Sequence, residues 1–151
     1  MPIKDVILGK NVSITNENLV NLYGCKIGDN CKIGPFVEIQ KNVFIGNNCK
    51  ISSHSFICEG VNISNNVFIG HNVTFINDKI PFSTNEDGIM KGDKDWDLIE
   101  TFIAEGASIG SGSTILCGVK IGKKSIIGAG SLVSKNIPDG KMAYGNPALI
   151  K

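Results

Sequence analysis

The chain has 151 residues and a formal net charge of +1, with fifteen positive charges that are all lysine. That length leaves room for one ordinary domain, and charge so evenly mixed excludes bulk attraction to nucleic acid or to an anionic membrane. Without any arginine, a phosphate-bearing ligand must be held by lysines, backbone amides, Asn or Ser instead of a bidentate guanidinium fork.

From the amino terminus onward, one aliphatic residue recurs every six positions. Leu8, Ile14 and Val20 start the beat; after a one-residue slip Ile27, Ile33, Ile39, Ile45, Ile51, Ile57, Ile63 and Ile69 follow, closed by Phe75. Ile103, Ile109, Ile115, Ile121, Ile127 and Val133 resume it after a gap. A period of six fits neither a helix nor simple alternation, and predicts a solenoid of very short strands. The residue two places before each beat is small: Cys25, Cys31, Val37, Val43, Cys49, Ser55, Val61, Val67 and Val73. Residues two apart share a strand face, so each hexad points one large and one small side chain inward and then turns. Glycines such as Gly28, Gly34 and Gly46, with Asp29, Asn30, Asn47 and Asn48, supply the turns.

Cys25, Cys31 and Cys49 thus read as small interior residues, and Cys58 and Cys117 have no CxxC spacing and no adjacent histidine. A charged segment followed by an apolar stretch is lacking at the amino terminus, and no window approaches eighteen apolar residues. A cytoplasmic protein with no metal is therefore expected.

Between Phe75 and Ile103 the beat stops. The stretch Asn77–Glu100 holds a proline, Pro81, many charges and the single tryptophan, Trp96. It is predicted to project as a loop excursion, 77–100, from one β-helix domain, 1–151, that ends in a tail, 138–151. Trp96, Phe82 and Ile89 need cover, and packing against a neighbouring subunit would supply it. Residues eighteen apart should lie in register on adjacent coils, which places Glu59 under Asn77 and His54 under Asn72, beside His71. Both histidines then share one corner, with Glu59 and Asn77 at the next, about one strand length away. Phe44, Phe56 and Phe68, each one before a beat, should point outward, and with Phe36 they favour association.

This pattern resembles the hexapeptide-repeat acyltransferases. The resemblance implies an all-β fold, a left-handed parallel β-helix of about six triangular coils with one long projecting loop. Its handedness comes from the family, since physics alone favours right-handed crossovers. Eighteen hexads in six coils at about 4.8 Å make a prism of roughly 29 Å. Within the family, Gly70–Lys79, then Asp95, Trp96 and Thr101, Gly106–Gly110 and Gly145–Ala148 are similar to the branch that N-acetylates amino sugars carried on nucleoside diphosphates. One departure stands out: the galactoside and xenobiotic O-acetyltransferases carry a loop histidine, and this loop has none.

The resemblance implies acetyl-CoA as co-substrate in a groove between subunits of a homotrimer. Ser111, Gly112, Cys117 and Gly118 would border its thioester end, and Ala129, Gly130, Lys135, Asn146 and Pro147 its nucleotide end. His54 is the candidate general base or orienting group, a neutral imidazole being suited to such a task near pH 7. Glu59, Asn77, Asp78 and His71 are candidates for binding the nucleotide-sugar acceptor. Three alternatives stand beside this reading. O-acetylation of a hydroxyl needs only a different acceptor, and a non-catalytic scaffold needs only the flat faces of the solenoid. Zinc hydrolysis, as in the γ-type carbonic anhydrases of similar fold, calls for three histidines where this chain has two.

Overall fold

A computed structural model of the chain describes residues 2–151; Met1, counted in the expected domain, lies outside the described residues. Strands mostly two residues long pair in parallel into three sheets of seven, six and eight strands, the three faces of a triangular β-helix. We number the faces by first appearance: Ile3–Lys4 opens the first, Ile7–Leu8 the second and Ser13–Ile14 the third.

The six-residue beat becomes axial stacks of identical side chains. On the second face Ile27, Ile45, Ile63, Ile103 and Ile121 lie in register, and on the third Ile33, Ile51, Ile69, Ile109 and Ile127 do. All ten are at most 2% exposed. Each such burial stabilises by about 1.5–3 kcal/mol, and a slip of one residue would turn the whole stack outward. Cys25, Cys31, Cys49 and Cys58 are buried among them as expected, and all five thiols are free. Cys31 and Cys49 each donate to a backbone carbonyl one coil away, Gly46 and Ser64, at 3.1 Å.

Three expectations need correction. The first face carries seven strands, so there are seven coils and not six. Ile3–Lys4 adds a stacking position at the start, and at the far end Ile137 and Ala143 fill inward places outside the strict beat. The supposed tail is therefore part of the helix: Met142–Gly145 joins the third face and turns back antiparallel to Ala148–Ile150. The early beat is also misplaced, because Leu22, not Val20, stacks on Ile39. A 3₁₀ turn at Glu17–Leu19 lengthens that corner and shifts the next large side chain, leaving Val20 in the smaller inward slot.

The three corners differ in chemistry. Between the second and third faces, side-chain carbonyl oxygens form a ladder: Asn65 accepts from Asn47 N–H, Asn47 from Asp29 N–H, and the Asp29 carboxylate from Lys10 N–H, each at 2.8 Å. That edge satisfies its own backbone and is structural. The other two edges, which bound the first face, are different.

Candidate active site

At the edge between the third and first faces, the left-handed turn position is taken in successive coils by Phe36, His54 and Asn72, then Gly112 and Gly130. Asn, Gly and, less often, His tolerate positive φ, as His54 does at 63°, whereas Phe36 at φ 58° is unusual there. Their rings stack with centroids 4.8 Å apart. His71 stands beside this column, exposed, with Nδ1 2.9 Å from Ser53 Oγ, and its N–H donates to Ser111 Oγ at 3.0 Å. Ser52 is buried, whereas Ser53 is partly exposed and faces His71. Ser55 is the inward serine; its hydroxyl donates to Gly70 O at 2.8 Å.

Along the same edge Gly112 N–H donates to His71 O, and Gly130 N–H to Ser111 O, both at 2.8 Å. Ala129 is exposed there, and Asn146–Pro147 form the hairpin turn between the last two strands of the third face. His54, His71, Ser111, Gly112, Ala129, Gly130, Asn146 and Pro147 thus belong to one edge.

The second edge, between the first and second faces, is where the excursion leaves. Asn77 Nδ2 donates to Glu59 O at 2.9 Å, and the Glu59 carboxylate accepts from Asn42 Nδ2 at 2.7 Å. The returning chain is tied by Ile99 N–H to Asn77 O and by Thr101 N–H to Gly60 O. Cys117 is partly buried, Gly118 N–H donates to Glu100 O at 3.1 Å, and Lys135 lies one coil further on, exposed. Glu59, Asn77, Asp78, Cys117, Gly118 and Lys135 form this second group. In one chain the two groups do not meet, since the width of the first face separates His54 from Asn77.

A pocket of about 320 Å³ opens at the second edge, lined by Tyr23, Gln40, Phe56, Glu59, Asn77 and Trp96 among others. Trp96 is partly buried against its own β-helix, while Phe82 and Ile89 remain 67% and 63% exposed. Phe56 is likewise only half-exposed, unlike Phe44 and Phe68, because it lines this pocket. Tyr23, Gln40 and Phe56 were not anticipated as site residues. Their column was legible only by extending the eighteen-residue register down from Glu59, across the early irregular turn. Tyr23 Oη donates to Glu38 at 3.2 Å, and its phenol is held above its ordinary pKa by burial first and by the Glu38 charge second. Glu59 shares this pocket with Trp96, Tyr23 and Phe56, while Asp93 at its rim pairs with Lys41 at 3.9 Å, which makes a setting for a polar ring bearing a cationic or hydrogen-bonding substituent.

Between the two edges the outward side chains of the first face are Glu38, Phe56, Thr74, Thr114 and Leu132, all partly buried. Above the pocket this leaves a low strip of threonine and leucine running along the axis. Among the described residues no three His, Cys, Asp or Glu side chains gather as a metal site.

A triangular parallel β-helix, interrupted once and with its distinctive polar residues on the two edges of one face, defines a hexapeptide-repeat solenoid. Residues 24–59 and 100–135, on either side of the excursion, match the family model described as bacterial transferase hexapeptide (six repeats). A dTDP-3-amino-3,6-dideoxy-alpha-D-galactopyranose 3-N-acetyltransferase of Aneurinibacillus thermoaerophilus is 53% identical over 51 residues, 34% of this chain and 27% of that protein. The chain spans about a quarter of the length of the first curated relatives it matches. Among solved structures, a galactoside acetyltransferase in complex with coenzyme A superposes with a TM-score of 0.72 at 30% identity, covering 85% of this chain and 64% of that one. The N-acyltransferase AntD of Bacillus cereus, solved with dTDP and coenzyme A, gives 0.76 at 20% identity over 99% and 84%, a likeness of fold.

Proposed function

We propose that the protein is a cytoplasmic, acetyl-CoA-dependent N-acetyltransferase whose acceptor is an amino sugar carried on a nucleoside diphosphate, for the synthesis of glycan precursors. The observation that carries this reading is the gathering of the site residues on the two edges of a single face, one edge holding histidines and open turns and the other an aromatic, carboxylate-bearing pocket. The names of the matched relatives support it: one acetylates a dTDP-linked amino sugar, and one was solved with coenzyme A.

In this reading the strip of Thr74, Thr114 and Leu132 fits an extended pantetheine arm, and Lys135 beyond it suits a phosphate as a point charge. Acetyl-CoA brings the activated acetyl group. Ser111, Gly112, Ala129 and Gly130 on one edge, Cys117 and Gly118 on the other, and Asn146 and Pro147 above would flank it. The acceptor sugar occupies the pocket beneath, with Trp96 against its ring and Glu59, Asn77 and Asp78 orienting its amino group; His71 contacts the acceptor from the histidine edge.

Amide formation needs a neutral amine, a donor for the developing oxyanion and an acceptor for the amine proton. His54 is assigned the last role, or the orientation of the amine; a positioned base of this kind contributes about 10²–10⁴ in rate. Because one chain keeps His54 and Asn77 on separate edges, we assign the complete site to a homotrimer in which the histidine edge of one copy faces the pocket edge of the next.

The test is incubation with acetyl-CoA and a panel of 3-amino and 4-amino sugar nucleotides, read as acetyl mass gain on the acceptor with release of CoA thiol. No thiol release with any acceptor would sink the enzymatic reading in favour of a scaffold. A second reading, O-acetylation of a sugar hydroxyl, is favoured by the match to a galactoside acetyltransferase. Hydroxyl sugars in the same panel separate the two. If His54→Ala kept full kcat across pH 6 to 9, His54 would have no base role.

A further inference from the structure

On the third face, against the histidine edge, lies a pocket of about 270 Å³ whose polar lining is Ser13, Thr15, Lys32, Lys50, Ser53 and His71, with Ser52 at its wall. No described carboxylate lines it. The lining is therefore two ammonium groups, an imidazole and several hydroxyls, every one of them able to donate to an anion.

The two lysines are the telling feature. Lys32 and Lys50 are paired in register on adjacent coils, so their backbones lie about 4.8 Å apart and both side chains leave the same face in the same direction. Like charges directly opposite one another in a sheet are destabilising unless something lies between them. Nothing in the protein does so: both are exposed, and among the described residues neither has a carboxylate at ion-pair distance. Asp29, at the far edge of the same face, turns its carboxylate to Lys10 N–H at 2.8 Å. Two other lysines that face outward from strands, Lys26 and Lys120, lie over the Phe44 and Phe102 rings. What sets Lys32 and Lys50 apart is that two unneutralised charges are paired in register beside a concavity rich in hydroxyls.

We propose that this pocket binds a diphosphate, and that the diphosphate is that of the nucleotide-sugar acceptor. Two phosphoryl groups bridged by one oxygen match two ammonium groups one coil apart, and Ser13, Thr15 and Ser53 supply hydrogen bonds to the remaining oxygens. Since the chain has no arginine, paired lysines are the strongest cationic grip it has for such a group. His71 joins the pocket to the edge that carries His54, so an acceptor held here by its diphosphate presents its sugar toward the first face. The phosphates of coenzyme A are the other source of this chemistry; the lysine assigned to them, Lys135, lies four coils above Lys50, roughly 19 Å along the axis. The identity of the anion rests on the nucleotide-sugar reading above, but its binding does not depend on catalysis.

The experiment is calorimetric titration of the full chain with inorganic pyrophosphate, thymidine diphosphate, uridine diphosphate and acetyl-CoA. It compares the wild type with Lys32→Gln, Lys50→Gln, the double variant and Lys26→Gln, which removes one charge from another face. The expected result is saturable pyrophosphate and nucleoside diphosphate binding, weakened about tenfold for each of the two lysines removed and unchanged in Lys26→Gln. Acetyl-CoA affinity should stay the same throughout, and thermal unfolding should confirm that all variants fold. The proposal is overturned if the wild type does not bind diphosphates, if Lys26→Gln weakens binding as much, or if only acetyl-CoA binding responds to the third-face lysines. Should diphosphates bind as expected while no amino sugar is acetylated, the pocket stands and the N-acetyltransferase reading falls.

Discussion

Asn77 reaches one coil down and donates its side-chain N–H to the backbone carbonyl of Glu59 at 2.9 Å. This bond sits at the root of the excursion, where the regular ladder ends, and it gives an otherwise unpaired carbonyl its donor. Asn77 thus combines a structural task with a place in the acceptor pocket. Asn77→Asp replaces the donor with a carboxylate facing that carbonyl and is expected to destabilise by about 1–3 kcal/mol. The loss should begin locally: limited proteolysis within 78–98 should accelerate before the β-helix itself melts. Equal protease resistance in variant and wild type would show that Ile99 and Thr101 hold the loop root without Asn77.

The buried thiols set an alkaline limit on stability. Burial raises the Cys25 thiol to about 11 and the Cys58 thiol to about 12, against an unfolded value of about 8.5. Between those values the unfolded chain has released protons that the folded chain retains, so stability is full below about pH 8.5 and falls as pH rises toward 11 and 12. Urea midpoints measured at pH 7, 8.5 and 10 should decline only above the second point. The decline should be shallower in Cys25→Val/Cys58→Ala, valine being the residue one coil away at Val43. Ellman's reagent on the native protein should titrate about one thiol per chain, Cys117, because the other four are at most 3% exposed.

How far the sequence alone reached depended on where the chain keeps step with its own repeat. Ile27 through Phe75 stack as the beat requires, and the eighteen-residue register correctly put Glu59 beneath Asn77 and His54 beneath Asn72. It failed at Val20, where a short 3₁₀ turn inserts residues that composition does not distinguish from any other corner. It failed again near Ile137, where Ser134–Asn136 make a corner and the next coil is closed by a bridge to Ile121. The contact between Trp96 and the first face escaped for a different reason. A loop without periodicity carries no ruler, so its fold-back onto Tyr23 and Phe56 is a tertiary choice that only coordinates disclose.

Thr101 is the first residue of the β-helix after the excursion and occupies an inward slot that Val61 fills one coil below. Its side-chain oxygen is buried without a hydrogen-bond partner. A hydroxyl removed from water and left unpaired is unfavourable by about 1–3 kcal/mol, and valine has nearly the same shape. Thr101→Val should therefore raise stability by about 1 kcal/mol, measured as a higher urea midpoint with unchanged m-value. If the midpoint fell, the hydroxyl would have a partner in solution that the structure does not contain.

Phe36 and His54 are held in left-handed turns that the same edge elsewhere gives to Asn72, Gly112 and Gly130. A bulky residue in that conformation is disfavoured by about 1–2 kcal/mol relative to its ordinary backbone angles. The Phe36 side chain is half in solvent and recovers little of this by burial; the contact it does make is a stack on the His54 ring. Phe36→Asn relieves the backbone without touching the core and is expected to leave stability equal or up to about 1 kcal/mol higher. If the stack orients the imidazole for catalysis, the same variant should lower kcat while leaving the KM for acetyl-CoA unchanged, and Phe36→Tyr should restore it. A variant that kept full kcat would remove Phe36 from any positioning role and leave the His54 ring to be fixed by the backbone alone, and one that lost stability would show that the stack outweighs the backbone strain.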